Sequence, residues 1–126
     1  MSVVKMIADA IPVGSLLKTP SGSATFRIKH YGTNHITLEV GNKGREFRIP
    51  NRCFEDALDC LRGKGSIKIG ALHSFTNEET FDSYVKNLTG GKSAASYVAP
   101  MLEKAGIVEI ESARSSLPAK IRLIEK

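Results

Sequence analysis

Residues 89–106 read TGGKSAASYVAPMLEKAG, and the Gly91-Lys92-Ser93 tripeptide within them has residue types that bind phosphate. A nucleotide-hydrolysing P-loop has the pattern G-x-x-x-x-G-K-[ST] between a strand and a helix, because its glycines let backbone N–H groups surround the phosphates. Lys86 stands where the first glycine belongs, and the residues before it have helical rather than strand periodicity. The pattern therefore disfavours a nucleotide loop. A helix that begins after two glycines can still bind a single phosphate, including one of DNA.

Histidine and cysteine residues form no defensible catalytic or metal-binding set in this sequence. His30 and His35 flank a predicted turn, but no Asp, Glu or Cys lies at ligand spacing beside them. Cys53 and Cys60 are seven positions apart, so on one helix roughly 10 Å would separate them, too far for a disulfide, and buried free thiols are favoured. A nucleophilic pair of Cys53 with His73 is disfavoured, because Cys53 falls near the buried side of its helix. We therefore expect no catalytic residue, metal, cofactor or small-molecule substrate, and a protein that is not an enzyme.

Basic residues outnumber acidic ones, 18 to 13, which gives the 126-residue chain a formal net charge of +5. A basic balance favours polyanionic partners, because neutralising phosphates releases counterions. No apolar run approaches the roughly 18–20 residues that span a membrane, and the first residues, MSVVKMIADAIPVG, have no signal-peptide pattern. We therefore expect a cytoplasmic protein with no membrane partner.

The first 49 residues have the pattern of a short helix followed by antiparallel strands. Apolar residues at helical spacing predict an N-terminal helix that ends at 12–14; they are Val4, Ile7, Ala8 and Ile11. Apolar and polar residues then alternate through 24–49, with YGTN and GNKG as turns, which predicts a three-stranded meander with 15–19 as a candidate fourth strand. One face of this meander is expected to be apolar. The other is expected to carry the basic side chains Arg27, Lys29, Arg45 and Arg48.

The pattern from residue 50 onward predicts helix, strand, helix, turn, helix, strand, loop and strand. Asn51 is the expected N-cap of the first helix and Gly63 its stop. The buried stripe of that helix is Phe54, Ala57, Leu58 and Leu61. Ser93 is the expected cap of the third helix, which Gly106 ends. The later elements are a strand at 66–71, helices at 76–88 and 93–105, and strands at 107–111 and 119–125.

The stretch KSAASYVAPMLEKAGIVEI, followed by ARSSLPAKIRLIEK, resembles a winged helix-turn-helix domain of small bacterial and archaeal regulators. The resemblance implies a supporting helix at 76–88, a recognition helix at 93–105 and a wing at 112–118. The fold class that follows is α+β, with an N-terminal antiparallel β-meander packed on a C-terminal winged helix-turn-helix. The expected division is 1–49 and 50–126, within one compact unit.

By this resemblance, the recognition helix would lie in the major groove and the wing would contact the DNA backbone. Ala94 and Pro100 are expected on the exposed face of the helix, together with its polar residues. The expected DNA-binding residues are Lys92, Ser93, Ser96, Tyr97, Arg114, Ser115, Lys120 and Arg122. Tyr97 could instead pack against the supporting helix. Pro100 is expected to kink the recognition helix, because it cannot donate a hydrogen bond to the Ser96 carbonyl.

The predicted function is that of a small non-enzymatic protein that binds duplex DNA, as a transcriptional regulator or an accessory factor in DNA processing. The alternative is a protein-interaction adaptor that uses the same fold. A positive face shared by Lys92, Arg114, Lys120 and Arg122 would favour DNA, whereas an exposed apolar patch would favour an adaptor. The apolar face of the N-terminal helix also leaves a homodimer open.

Overall fold

The computed structural model describes residues 3–19, 25–41, 44–63, 65–69, 81, 84–85, 94–111 and 120–124. The elements in these ranges are α1 (Val3–Ala10), β1 (Leu16–Lys18), β2 (Thr25–Tyr31), β3 (His35–Val40), β4 (Arg45–Pro50), α2 (Asn51–Leu61), β5 (Ile67–Lys68), α3 (Ala95–Lys104), β6 (Val108–Glu111) and β7 (Lys120–Leu123). The described chain contains helices and two antiparallel sheets, so the expected α+β class is confirmed.

The N-terminal strands form a four-stranded antiparallel meander in the order β1-β2-β3-β4. The meander expected at 24–49 is confirmed, and 15–19 contributes its fourth strand, since β1 pairs with β2. Gly41 and Gly44 bracket the turn between β3 and β4 with φ angles of 74° and 65°. Side chains other than glycine rarely adopt these angles, so the two glycines permit the turn that sets the β3–β4 register.

Alternation along the strands separates a buried face of the meander from an exposed one. The buried side chains are Phe26, Ile28, Ile36, Leu38 and Ile49. Arg27, Lys29 and Arg48 are exposed, as expected. Arg45 was expected on the same exposed face as these residues. By alternation it lies on the face of Phe47 instead, and its side chain is exposed there.

Helix α1 packs against α2 and α3, and its Ile7 and Ile11 are buried. The Tyr31 hydroxyl donates a hydrogen bond to the Ile11 carbonyl oxygen, 2.6 Å away, and so joins the end of α1 to β2. Burial raises the pKa of Tyr31 to about 12. The hydroxyl therefore keeps its proton and continues to donate at neutral pH.

Helix α2 follows β4 directly, and the expectation that Asn51 caps it is wrong. Asn51 is the first helical residue, and no side chain caps this end of the helix. Its side-chain amide instead donates to the Thr33 carbonyl oxygen at 3.0 Å, and its backbone N–H donates to that of Asn34 at 2.8 Å. Asn51 thus holds the helix to the β2–β3 turn, a long-range contact that local sequence does not reveal. The predicted buried stripe is confirmed at Phe54, Ala57, Leu58 and Leu61.

Strands β5, β6 and β7 form a second antiparallel sheet in the spatial order β5-β7-β6. Strand β5 lies within the strand expected at 66–71. Strands β6 and β7 pair from Val108↔Leu123 to Glu111↔Lys120, so the chain leaves this hairpin at Glu111 and returns at Lys120. The segment 112–118, predicted as the wing, lies outside the described residues.

Helix α3 contacts α1, β1 and β6. It continues through Pro100 and is followed by Gly106, which has a φ of 78° and ends the helix as expected. The predicted cap, Ser93, lies outside the described residues. Of the helix expected at 76–88, Phe81, Tyr84 and Val85 are described; all three have helical backbone, and Phe81 and Val85 are buried as predicted.

Buried side chains from both halves of the chain join in one hydrophobic cluster, from Ile7 in α1 to Ile121 in β7. Phe26 and Phe54 are among its largest fully buried members. Within the described ranges, no helix combines the length and the apolar character needed to cross a membrane.

Candidate nucleic-acid interface

Half of the predicted DNA-binding residues belong to the described chain. Ser96 and Tyr97 lie in the first turn of α3, and Lys120 and Arg122 lie on β7. The other four predicted residues are outside the described ranges: Lys92, Ser93, Arg114 and Ser115. The geometry of the candidate interface is therefore built from α3 and from the β6–β7 hairpin.

Lys120 and Arg122 share the outward face of the second sheet. Ile121 between them is fully buried, and alternation directs its two neighbours to the opposite side. Arg122 is exposed and forms an ion pair with Glu109, which lies directly opposite on β6. Because both side chains are more than half exposed, a phosphate can compete with Glu109 for the guanidinium.

Lys68 is a member of this face that sequence reasoning missed. It lies directly opposite Lys120 on β5, and Glu111 lies opposite Lys120 on β6. Three cations, Lys68, Lys120 and Arg122, and two carboxylates, Glu109 and Glu111, lie on the described part of this face, which is therefore net positive. The alternation in SIKIG predicts an exposed Lys68, but nothing in the sequence predicts its pairing with Lys120.

Tyr97 packs on the meander instead of projecting from the helix. Its ring lies edge-on to Phe26 with ring centroids 5.2 Å apart, and tilted to Phe47 at 5.3 Å. The ring is half-buried, and these two ring contacts come from the first sheet. Most of the supporting helix, the other packing partner considered above, lies outside the described residues. Aromatic pairs in such arrangements stabilise a fold beyond their burial alone.

The exposed strip of α3 is narrower than the sequence predicted. Ala94 and Pro100 were expected on the outer face, and that expectation is wrong because both are buried. Helix α3 contacts α1, β6 and strand β1 of the meander, whereas a helical wheel represents one helix alone. Ser96, Glu103 and Lys104 are the exposed residues of the helix.

Glu103 is held at the C-terminal end of α3 by the second sheet. Its Oε2 atom accepts a hydrogen bond from the Ile110 backbone N–H at 3.2 Å, which ties α3 to β6. This contact fixes the orientation of α3 relative to the hairpin that carries Lys120 and Arg122. Ser96 in the N-terminal turn and Lys104 at the C-terminal end are the other exposed residues of α3.

Cys53 is fully buried, as expected, and lies in the first turn of α2. Burial, with smaller contributions from Asp56 and Cys60, raises the pKa of the Cys53 thiol to about 11. The nucleophilic thiolate is therefore scarce at neutral pH. In the described part of the chain, no three His, Cys, Asp or Glu side chains are grouped as metal ligands would be. His73, the other residue of the nucleophilic pair considered above, lies outside that part.

Cys53 is expected to react with iodoacetamide at pH 8 on the order of 100-fold more slowly in the native protein than in the unfolded chain, because both burial and the raised pKa remove thiolate. The rate should increase as the pH approaches 11. Mass spectrometry of a Cys60→Ser variant measures Cys53 alone, and labelling in denaturant gives the reference rate. Equal native and unfolded rates would contradict the burial of this thiol.

The candidate interface thus combines Lys68, Lys120 and Arg122 on one sheet face with the exposed Ser96 of α3. Its cations lie beside the segment expected to form a wing, because Lys120 is the first residue of β7. Its polar groups are those that bind phosphate oxygens in protein–DNA complexes. Comparison with family models, with curated proteins and with solved structures found no match to this chain.

Proposed function

We propose that this protein is a non-enzymatic DNA-binding protein of the winged-helix type that contacts the backbone of duplex DNA. The observation that carries the proposal is the outward face of the second sheet, where Lys68 on β5 lies beside Lys120 on β7 and Arg122 follows on the same strand. The order of α2, β5, the helical residues Phe81, Tyr84 and Val85, α3, β6 and β7 supports it, since that is the element order of the family that the sequence resembles.

Phosphate contacts are proposed to dominate the binding. Lys68 and Lys120 lie side by side, and Arg122 can exchange Glu109 for a phosphate oxygen. Lys92 and Arg114, from the segments outside the described residues, are proposed to add to the same contacts, as are Ser93 and Ser115. Because α3 exposes few side chains that read bases, sequence-independent affinity is expected to exceed base-specific discrimination.

A role as a transcriptional regulator or as an accessory factor in DNA processing fits such binding. The formal net charge of +5 supports either role, because a positive protein is attracted to DNA before any specific contact forms. Neither role needs a catalytic group, and the cytoplasm is the proposed location.

The test is a fluorescence-anisotropy titration of a labelled random duplex at two salt concentrations. If about three phosphates are neutralised, raising the salt from about 50 to 200 mM should weaken binding roughly 40-fold, since log K falls by about 0.9 per phosphate for each log unit of salt. A dissociation constant weaker than about 1 mM at the lower salt, or an affinity that salt does not change, would overturn the proposal.

A protein-interaction adaptor is the second candidate, and two apolar side chains favour it. Val13 and Leu16 are both 59% exposed and lie close together in the chain, at the start of β1. Exposed apolar residues that lie close together are typical of protein contacts. The same titration separates the two functions, because an adaptor of this kind should show no salt-dependent binding to duplex DNA.

A further inference from the structure

Strand β4 is an edge of the four-stranded sheet, and the hydrogen-bond alternation shows which of its backbone groups face outward. The backbone N–H of Asn51, the residue after β4, donates to the carbonyl oxygen of Asn34. In an antiparallel pair, every second residue of a strand forms such bonds with the neighbouring strand. Positions 45, 47 and 49 therefore bond to β3, while the backbone N–H and C=O groups of Glu46 and Arg48 point away from the sheet. Among the described strands, none pairs with this edge.

An open groove of about 570 Å³ runs beside the same edge. Its described lining consists of Val40, Arg45, Glu46, Phe47, Arg48 and Tyr97. Phe47 and Tyr97 are only half-buried there. The groove thus places an unpaired strand edge beside partly exposed aromatic rings, as an added β-strand requires.

Charge on the edge restricts which strand can be added. Three registers let the outward backbone groups of two antiparallel β4 strands bond to each other. They place Glu46 opposite Glu46, Arg48 opposite Arg48, or Glu46 opposite Arg48. Like charges directly opposite each other are destabilising, and opposite charges are stabilising. The pairing of Glu46 with Arg48 is self-complementary, because a two-fold axis through Phe47 creates it twice.

We propose that two copies of this chain associate through β4, antiparallel and centred on Phe47, to form one continuous sheet across the dimer. Four backbone hydrogen bonds then join the copies, two for each pair of Glu46 with Arg48. Phe47 of one copy lies against Phe47 of the other, on the side of the sheet where Tyr97 packs. The axis is perpendicular to the sheet, so both buried faces stay on the same side.

The existing contacts of the two charged residues allow this pairing. Glu46 uses Oε1 to accept from Lys29 within the chain, which leaves Oε2 for the second copy. Arg48 forms no ion pair with any described residue. The hydrogen bond and the charge of Lys29 are the main causes of the lowered pKa of Glu46, and the charge of Arg48 adds a smaller part. The proposed dimer gives Arg48 a partner.

The interface differs from the one that the sequence left open on the N-terminal helix. Ile7 and Ile11 of α1 are fully buried inside the chain. Val3, Val4 and Met6 also pack against the core. The apolar face of α1 is therefore used within one copy, and the proposed dimer does not involve it.

Sedimentation velocity without DNA tests the proposal, so its failure is distinct from a failure of DNA binding. The wild-type protein should sediment at twice the chain mass of 13.7 kDa when concentrated above its dissociation constant. Arg48→Glu should weaken the dimer at least about tenfold, because two attractive pairs become repulsive. Glu46→Arg combined with Arg48→Glu should restore it, because the exchanged charges are again opposite across the axis.

A proline variant separates edge pairing from folding. Arg48→Pro removes an outward N–H that the chain itself does not use, and proline is tolerated at such edge positions. It should abolish the dimer, whereas Arg48→Ala should only weaken it, and circular dichroism should show a folded chain for both. A wild-type chain that stays monomeric up to about millimolar concentration would overturn the proposal. A folded double-charge variant that remains monomeric, or a dimeric Arg48→Pro variant, would do the same.

Discussion

Replacing both Lys68 and Lys120 with glutamate is expected to weaken duplex-DNA binding by about 100-fold at low salt. Each lysine is proposed to donate a charged hydrogen bond to a phosphate, worth roughly 1.5–3 kcal/mol, and 1.4 kcal/mol corresponds to a factor of ten. The salt dependence should also become shallower, by about 0.9 in the log–log slope for each phosphate that the protein no longer neutralises. Anisotropy titrations at several salt concentrations measure both quantities.

The matched control for this variant changes the net charge by the same amount elsewhere. Lys18 and Arg52 are exposed, and neither is ion-paired with a described residue. Lys18→Glu with Arg52→Glu should weaken binding much less, through long-range electrostatics alone. An equal loss of affinity in both variants would show that the total charge, and not the face of the second sheet, attracts the DNA. Thermal melting of each variant checks that the fold is intact.

Replacing Phe26 with alanine is expected to lower the free energy of unfolding by about 3–5 kcal/mol, the usual cost of removing a large aromatic side chain from a core. Phe26 is 1% exposed and contacts the ring of Tyr97, so it joins the meander to α3. Its replacement removes buried area and an aromatic pair together. Urea denaturation followed by circular dichroism measures the change, and the slope of the transition reports whether the two-state approximation still holds.

Arg27 provides the control for this second prediction, because it is the next residue on β2 and lies on the opposite, exposed face. Arg27→Ala should cost less than about 1 kcal/mol, which is the usual range for a surface cross-strand pair. If Arg27→Ala proved as costly as Phe26→Ala, the assignment of the two faces of the meander would be contradicted.

The meander is the part of the fold that local pattern predicts best. Alternation of apolar and polar residues through 24–49 repeats with the period of a strand, and Gly41 and Gly44 occupy the positive φ angles that a tight turn needs. Each of these signals acts between neighbours in sequence. The buried stripe of α2 was predicted for the same reason, since Phe54 and Leu58 lie one turn apart on the helix.

Contacts between distant segments account for the expectations that were wrong. Asn51 has the residue type of a cap, but the carbonyl of Thr33 lies within reach of its amide only in the folded chain. Ala94 and Pro100 are buried, and the helix that follows Ala94 contacts α1 and β1, which are far away in sequence. A helical period shows which side of a helix is most apolar, and it does not show how many sides the rest of the protein covers.

The sequence by itself determined the class and order of the described elements, the net positive charge, and the buried residues of the meander and of α2. It could do so because these properties depend on local periodicity, turn residues and composition. The tertiary structure alone decided that Tyr97 packs on Phe26 and Phe47, that Lys68 lies beside Lys120, and that Glu46 and Arg48 direct their backbone groups to an open edge. Each of these depends on strand register and on the packing of one layer over another, which arise from contacts between residues far apart in the chain.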